Sequence, residues 1–180
     1  MTESNKKSFA SARVGLFTHY TYPTYAAGKG TNYGGTVYSQ NDHRIAASAE
    51  EAAFLFDGEK FADAAHDLGA EYVVFTVAHA GFNLLFPSET MRGVGCAHKC
   101  AEKSDVVQKL LDGLGKYGIP LVLYMPPNDD HDIADEDLKK MGWYQNPDGR
   151  TDFLKKLISE IYQRYSTGIA GFWFDQCGPD

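Results

Sequence analysis

The chain is short of basic residues, of cysteine and of long apolar runs, and each shortage removes a class of function. Seventeen Lys and Arg stand against 24 Asp and Glu in 180 residues, a formal net charge of -7. With a sequence pI near 5.3, no basic stripe is available to displace counterions from phosphates, and no nucleic-acid partner is expected. No run approaches the roughly 18 apolar residues of a membrane span, so no membrane partner is expected either. The opening residues, MTESNKKSFASAR, hold no apolar segment of the kind a secretory signal needs. Three cysteines make no even disulfide framework, which points to a reducing, cytoplasmic compartment. A fragment beginning after a signal would look the same and would be secreted or periplasmic. No short repeat and no low-complexity tract is present.

What the chain does hold is apolar and aromatic material, 43% hydrophobic and 13% aromatic, enough for one domain with a real core. Residues 1–12 read as a disordered or extended N-terminus and 13–180 as the domain. Four apolar runs each stop at a polar, chemically capable residue: VGLFTH ends at His19, YVVFTVAH at His79, IPLVLY at Tyr124 and GIAGFWFD at Asp175. Runs of this length, rich in Val, Ile and aromatics, suit strands buried on both faces, as parallel strands under helices are. Between them lie three amphipathic stretches. One starts at Asp57 and stops at Gly69, one starts at Ser104 and closes at Gly115 and Gly118, and one starts at Thr151 and stops at Gly168.

The resulting order, strand and helix in alternation, implies parallel strands joined by right-handed crossovers. A parallel sheet gathers its strand carboxyl ends at one rim, where α/β folds bind ligands. The run ends are separated by 60, 45 and 51 residues, and the surplus over a minimal βαβ unit follows the strands, in residues 20–56, 80–102 and 125–150. Long loops at that rim are how a (β/α) barrel builds a pocket. Four strands make either a small open sheet or half of an eight-stranded barrel. A half-barrel leaves the edges of its first and fourth strands for more chain or for another subunit, which opens a route to a homo-oligomer.

Each rim residue has two readings. A carboxylate directly after Phe172, Trp173 and Phe174 is costly to bury unless hydrogen-bonded, so Asp175 is either catalytic or a loop brace. His79 begins a glycine-containing turn at its strand end, which favours function. His19 lies in FTHYTYP, where Tyr20, Tyr22 and Tyr25 offer flat faces to a sugar or pack beneath a loop. Tyr124 is an amphipathic anchor or a pocket residue. Other signals fail. Gly28, Lys29, Gly30 and Thr31 lack the spacing of a phosphate loop, and GKGTNYGG has no strand-to-helix setting for a dinucleotide, so no cofactor is expected. Cys96, His98 and Cys100 lack a second ligand pair with zinc spacing and read as a loop with free thiols. Asn128 to Asp132 lacks the EF-hand pattern and reads as a solvated turn. His66 reads as an exposed helix residue, and His43 carries no signal.

Taken in order, the motifs resemble the catalytic domain of alpha-L-fucosidases, glycoside hydrolase family 29, over residues 13 to 176. VGLFTHY is similar to the family's first strand, ending in His-Trp-Gly. FDGEKFADAAHDLGAEYVVFTVAHAGF is similar to its helix and second strand, ending in Lys-His-His-Asp-Gly-Phe. KSDVV resembles a helix start, IPLVLYMPP a third strand with a terminal tyrosine, and GFWFDQ a fourth strand ending Trp-Phe-Asp. The resemblance implies the N-terminal (βα)₄ half of a (β/α)₈ TIM-like barrel acting as a retaining exo-glycosidase on a fucoside or related glycan. Asp175 would be the nucleophile, and His19, His79, Tyr124 and Tyr20 would contact the sugar, with no metal. The family's paired histidines appear as a single His79, its acidic neighbour as Ala80, its Glu-Trp-Tyr as Thr36, Val37 and Tyr38, and its first tryptophan as Tyr20. The acid/base of the family follows the nucleophile in the second half of the barrel. No carboxylate here matches it, so this chain alone is expected to turn over poorly. The alternative is a non-catalytic carbohydrate-binding or self-associating half-barrel. A small open α/β protein with other ligand chemistry would show a sheet order that is not sequential.

Overall fold

The computed structural model describes residues 11–22, 46, 48–79, 81–128, 130, 133–144 and 146–177. Thr36, Val37, Tyr38, His43, Ala80, the 28–31 segment and most of the 128–132 turn lie outside them. The four apolar runs form four strands: β1 (Gly15–Thr18), β2 (Tyr72–Thr76), β3 (Leu121–Met125) and β4 (Ile169–Phe174). All pair in parallel, in the spatial order β1-β2-β3-β4. A sequential order with right-handed crossovers keeps every connecting helix on one face, as in a barrel; a doubly wound sheet reverses its order. The fold is therefore an α/β half-barrel rather than an open doubly wound sheet.

The helices follow from local chemistry. Ser48 caps α1 (Ala49–Leu55), its Oγ accepting from Glu51 N at 3.1 Å. Asp57 caps α2 (Gly58–Asp67) through Lys60 N at 3.0 Å. Ser88 caps the short α3 (Glu89–Gly93), and a single 3₁₀ turn follows at Ala97–Lys99. Asp105, one residue later than the sequence suggests, caps α4 (Val106–Gly115) through Gln108 N at 2.9 Å. After α5 (Asp135–Lys140) comes α6 (Asn146–Tyr165), which begins five residues ahead of Thr151. None of the described helices is long and apolar enough to cross a membrane.

Strand alternation divides the side chains between two layers. Val73, Phe75, Leu121, Leu123, Met125 and Ile169 join helix residues such as Ala62, Leu110, Leu157 and Ile161 in the main core. Val74, Val122, Tyr124 and Ala170, with Tyr72, form a second cluster on the face turned away from the helices. β3 is buried throughout, and β2 at every position but the half-buried Tyr72. In β1 and β4 exposure rises, with Phe17 at 45%, Trp173 at 49% and Phe174 at 43%, because each edge strand has one strand neighbour among the described residues. The expectation that all four runs are buried on both faces holds for the central pair alone.

Candidate active site

Pairing register brings the run ends together. Thr76 stands opposite Tyr124, and Tyr124 opposite Trp173. Counting by twos along the strands puts Phe17 with His19, Val74 with Thr76, Val122 with Tyr124 and Trp173 with Asp175. Phe17 packs edge-on against His19, Tyr124 and Trp173, with ring centroids 5.1, 5.5 and 5.8 Å away. The four residues that end the runs therefore share the rim of the helix-free face.

Asp175 directly follows β4 and extends its ladder by one bond, its N–H donating to Met125 O at 3.1 Å. The chain then turns sharply. Gln176 takes the left-handed conformation, φ 54°, which is uncommon for a residue with a Cβ. Asn128 Nδ2 holds that turn by donating to Gln176 O at 2.9 Å. The Asp175 carboxylate is exposed and fixed at both oxygens: Oδ2 accepts from Tyr124 OH at 2.7 Å and Oδ1 from Gln176 N at 2.9 Å. Two donors hold an anion in one orientation while leaving lone pairs toward solvent.

The imidazoles complete the cluster. The His19 ring lies 4.8 Å from His79 and 4.9 Å from Tyr124, and His79 stacks on Tyr124 at 5.9 Å. His79 is held by its own turn: Phe82 N donates to His79 O at 2.8 Å, Gly81 and Phe82 both have positive φ, and Phe82 is fully buried against Trp143 and Phe153. His19 keeps some access to solvent, yet the loss of hydration on its packed sides lowers its pKa. Proximity to His79 lowers it further, and Asp175 opposes the shift. A neutral imidazole beside an oriented carboxylate can accept a hydroxyl proton in a hydrogen bond, and the carboxylate can attack an electrophilic carbon.

Tyr20 is placed elsewhere. Both His19 and Tyr20 follow the end of β1 at Thr18, and Tyr20 turns toward the helices. There its ring packs on Phe56 and Phe75 and its OH donates to Ala52 O at 2.8 Å. Burial pushes its phenol up to about 12. It braces α1 against the sheet. The Cys96, His98 and Cys100 side chains do not converge on a metal either. Cys96 Sγ donates to Asp137 Oδ1 at 3.7 Å, His98 Nε2 lies 2.9 Å from Asp137 Oδ2, and Cys100 Sγ donates to Ala97 O at 3.2 Å. Among the described residues no three His, Cys, Asp or Glu side chains are grouped to hold a metal ion. Sequence reasoning missed Thr76, 6% exposed on the helix-free face. Its signal was a hydroxyl in an otherwise apolar strand, three residues before His79.

Comparison with known proteins agrees with this architecture. The alpha-L-fucosidase family model matches residues 1–179. No curated protein matches the sequence. An alpha-L-fucosidase from Bacteroides thetaiotaomicron, trapped as a covalent intermediate with 2-fluoro-fucosyl fluoride, superposes with a TM-score of 0.61 at 21% identity; 98% of this chain covers 42% of that one. Alpha-L-fucosidase isoenzyme 1 from Paenibacillus thiaminolyticus gives 0.61 at 19% identity, over 96% of this chain and 43% of that one. A Thermotoga maritima alpha-fucosidase in complex with fucose gives 0.53 at 22% identity, over 74% and 30%. The chain thus spans about two fifths or less of each of these three structures.

Proposed function

The chain belongs to the alpha-L-fucosidase family, and from that premise we propose that it supplies the nucleophile half of a retaining glycosidase acting on alpha-L-fucosides or related glycosides. The observation that carries this reading is the exposed Asp175 carboxylate, held by Tyr124 OH at 2.7 Å and by Gln176 N at 2.9 Å at the rim shared with His19 and His79. In the first half-reaction an Asp175 oxygen attacks the anomeric carbon, and the glycosidic oxygen leaves with a proton from a second carboxylic acid. In the second, that group takes a proton from water, whose oxygen displaces Asp175 and restores the starting configuration. No described carboxylate is assigned as that acid/base. His19 and His79 would hydrogen-bond sugar hydroxyls, and Tyr124 would orient the nucleophile.

The test is labelling with 2-fluoro-fucosyl fluoride. Fluoride leaves without needing a proton, so ester formation on Asp175 does not depend on the acid. Mass spectrometry should place the label on Asp175, and Asp175→Ala should abolish it. Label on another carboxylate, or full reactivity in Asp175→Ala, would refute the assignment. A second reading is a non-catalytic carbohydrate-binding or self-associating half-barrel. It is favoured by the single His79 and by the exposed Phe17 and Trp173 beside two strand edges.

A further inference from the structure

Thr76 closes β2 on the helix-free face, and its hydroxyl joins two groups of the neighbouring strand segment. Thr76 Oγ1 donates its one proton to the Thr18 carbonyl at 3.1 Å, an oxygen that can only accept. His19 Nδ1 lies 2.7 Å from the same Oγ1. With its proton already committed, the hydroxyl can offer Nδ1 only a lone pair, so Nδ1 must bring the hydrogen. A neutral imidazole has a single N–H, which leaves the lone pair on Nε2. Among the described residues no hydrogen bond to Nε2 is found, and the ring sits between His79 and Tyr124 at the rim.

We propose that Thr76 is a positioning residue: through the Thr18 carbonyl it locks His19 in the Nδ1–H tautomer, so that Nε2 accepts a hydrogen bond from a hydroxyl of the glycan. The inference rests on the glycan reading above and adds a selection rule to it. At this point the site takes a donor, as any sugar hydroxyl is, and turns away a carboxylate or phosphate, which brings only lone pairs. The other tautomer would reverse the preference. The lowered pKa of His19 keeps the ring in its neutral, accepting form near neutral pH.

Imidazole nitrogen spectroscopy on the ¹⁵N-labelled chain reads the tautomer directly and without ligand, with His19→Gln assigning the signals. The expected spectrum shows a protonated Nδ1 and an unprotonated Nε2 for His19. Thr76→Val, which keeps the shape and removes the hydroxyl, should lose that preference, and Thr76→Ser should keep it. L-fucose affinity measured by calorimetry should fall about tenfold in Thr76→Val and stay near the parent value in Thr76→Ser. An Nε2–H tautomer in the parent, or an unchanged tautomer in Thr76→Val, would overturn the proposal; the parent spectrum alone decides it should the valine variant not fold. A parent with the expected tautomer and no L-fucose binding would overturn the glycan reading, and with it the accepting role of Nε2.

Discussion

Tyr124 and Asp175 are 51 residues apart in sequence, yet one hydrogen bond of 2.7 Å joins them. A hydrogen bond to a charged group contributes about 1.5–3 kcal/mol. Tyr124→Phe should therefore slow Asp175 labelling by 2-fluoro-fucosyl fluoride roughly 10- to 100-fold, and whatever stability the bond contributes should show as a lowered thermal midpoint in the same variant. The His19 pKa sets a pH dependence whose sign is fixed. An unfolded histidine titrates near 6.5 and folded His19 titrates lower, so between the two values the unfolded chain binds more protons. The neutral ring's contribution to stability is present above 6.5 and is lost as pH falls through the lower, folded value. Urea midpoints between pH 8 and 5 should fall more in the parent than in His19→Gln. The thiols differ too. Cys96 is buried, with its pKa pushed up to about 11 by burial and by Asp137, whereas Cys177 is exposed. Iodoacetamide at pH 8 should modify Cys177 well before Cys96 or Cys100. At this scale the rim was legible because four apolar runs stopped at chemically capable residues. Tyr20 was not, because its partners Ala52, Phe56 and Phe75 lie more than 30 residues away and leave no local signal of which way its ring turns.

The α2–α4 contact turns on two glycines. A Cβ on Gly58 would stand 2.4 Å from Lys109 O, and one on Gly113 would stand 2.4 Å from Gly58 O. In an open helix, glycine to alanine stabilises by about 1 kcal/mol. Gly113→Ala should instead destabilise by about 1–3 kcal/mol, since backbone must move to admit the methyl; a raised thermal midpoint would contradict the packing described. The amphipathic helices announced themselves by periodicity and caps, although the α4 cap is Asp105 rather than Ser104. Asp105 also accepts from Tyr165 OH at 2.7 Å, a use no local pattern shows. The short helices α1 and α3 were hidden in segments read as loops, because their ends are satisfied from afar. Lys109 Nζ donates to the carbonyls of Ala53, Phe54 and Phe56 at one end of α1. Glu160, from α6, accepts from Ser88 Oγ, Glu89 N and Thr90 N at the start of α3. Helices of five to seven residues have little stability of their own, and partners 53 to 72 positions away carry no local sequence signal.

For the whole molecule, the decisive quantity is what covers the helix-free face. Among the described residues β1 and β4 are the sheet edges, and Phe17 and Trp173 within them are nearly half exposed. Unpaired edges next to apolar surface invite further pairing. Two copies related by an axis along the strands could join β4 of each to β1 of the other, closing eight parallel strands. The 19.9 kDa chain is therefore expected to run as a dimer in light scattering, and a monodisperse monomer that binds no apolar dye would count against that pairing. Alternation of strands and helices made the half-barrel legible from sequence; the uneven burial of its strands was not, since the apolar runs look alike whether central or at an edge. The sequential strand order also bears on how the chain reaches its fold. Each strand pairs with its predecessor in the sequence, so every loop closed during folding has nearly the same length and none must wait for a distant partner. The β2–α4–β3 unit, whose two strands are the best covered, is the natural nucleus. The chain can then grow outward unit by unit, and Asp175, one step beyond β4, takes its place only once β4 has paired with β3.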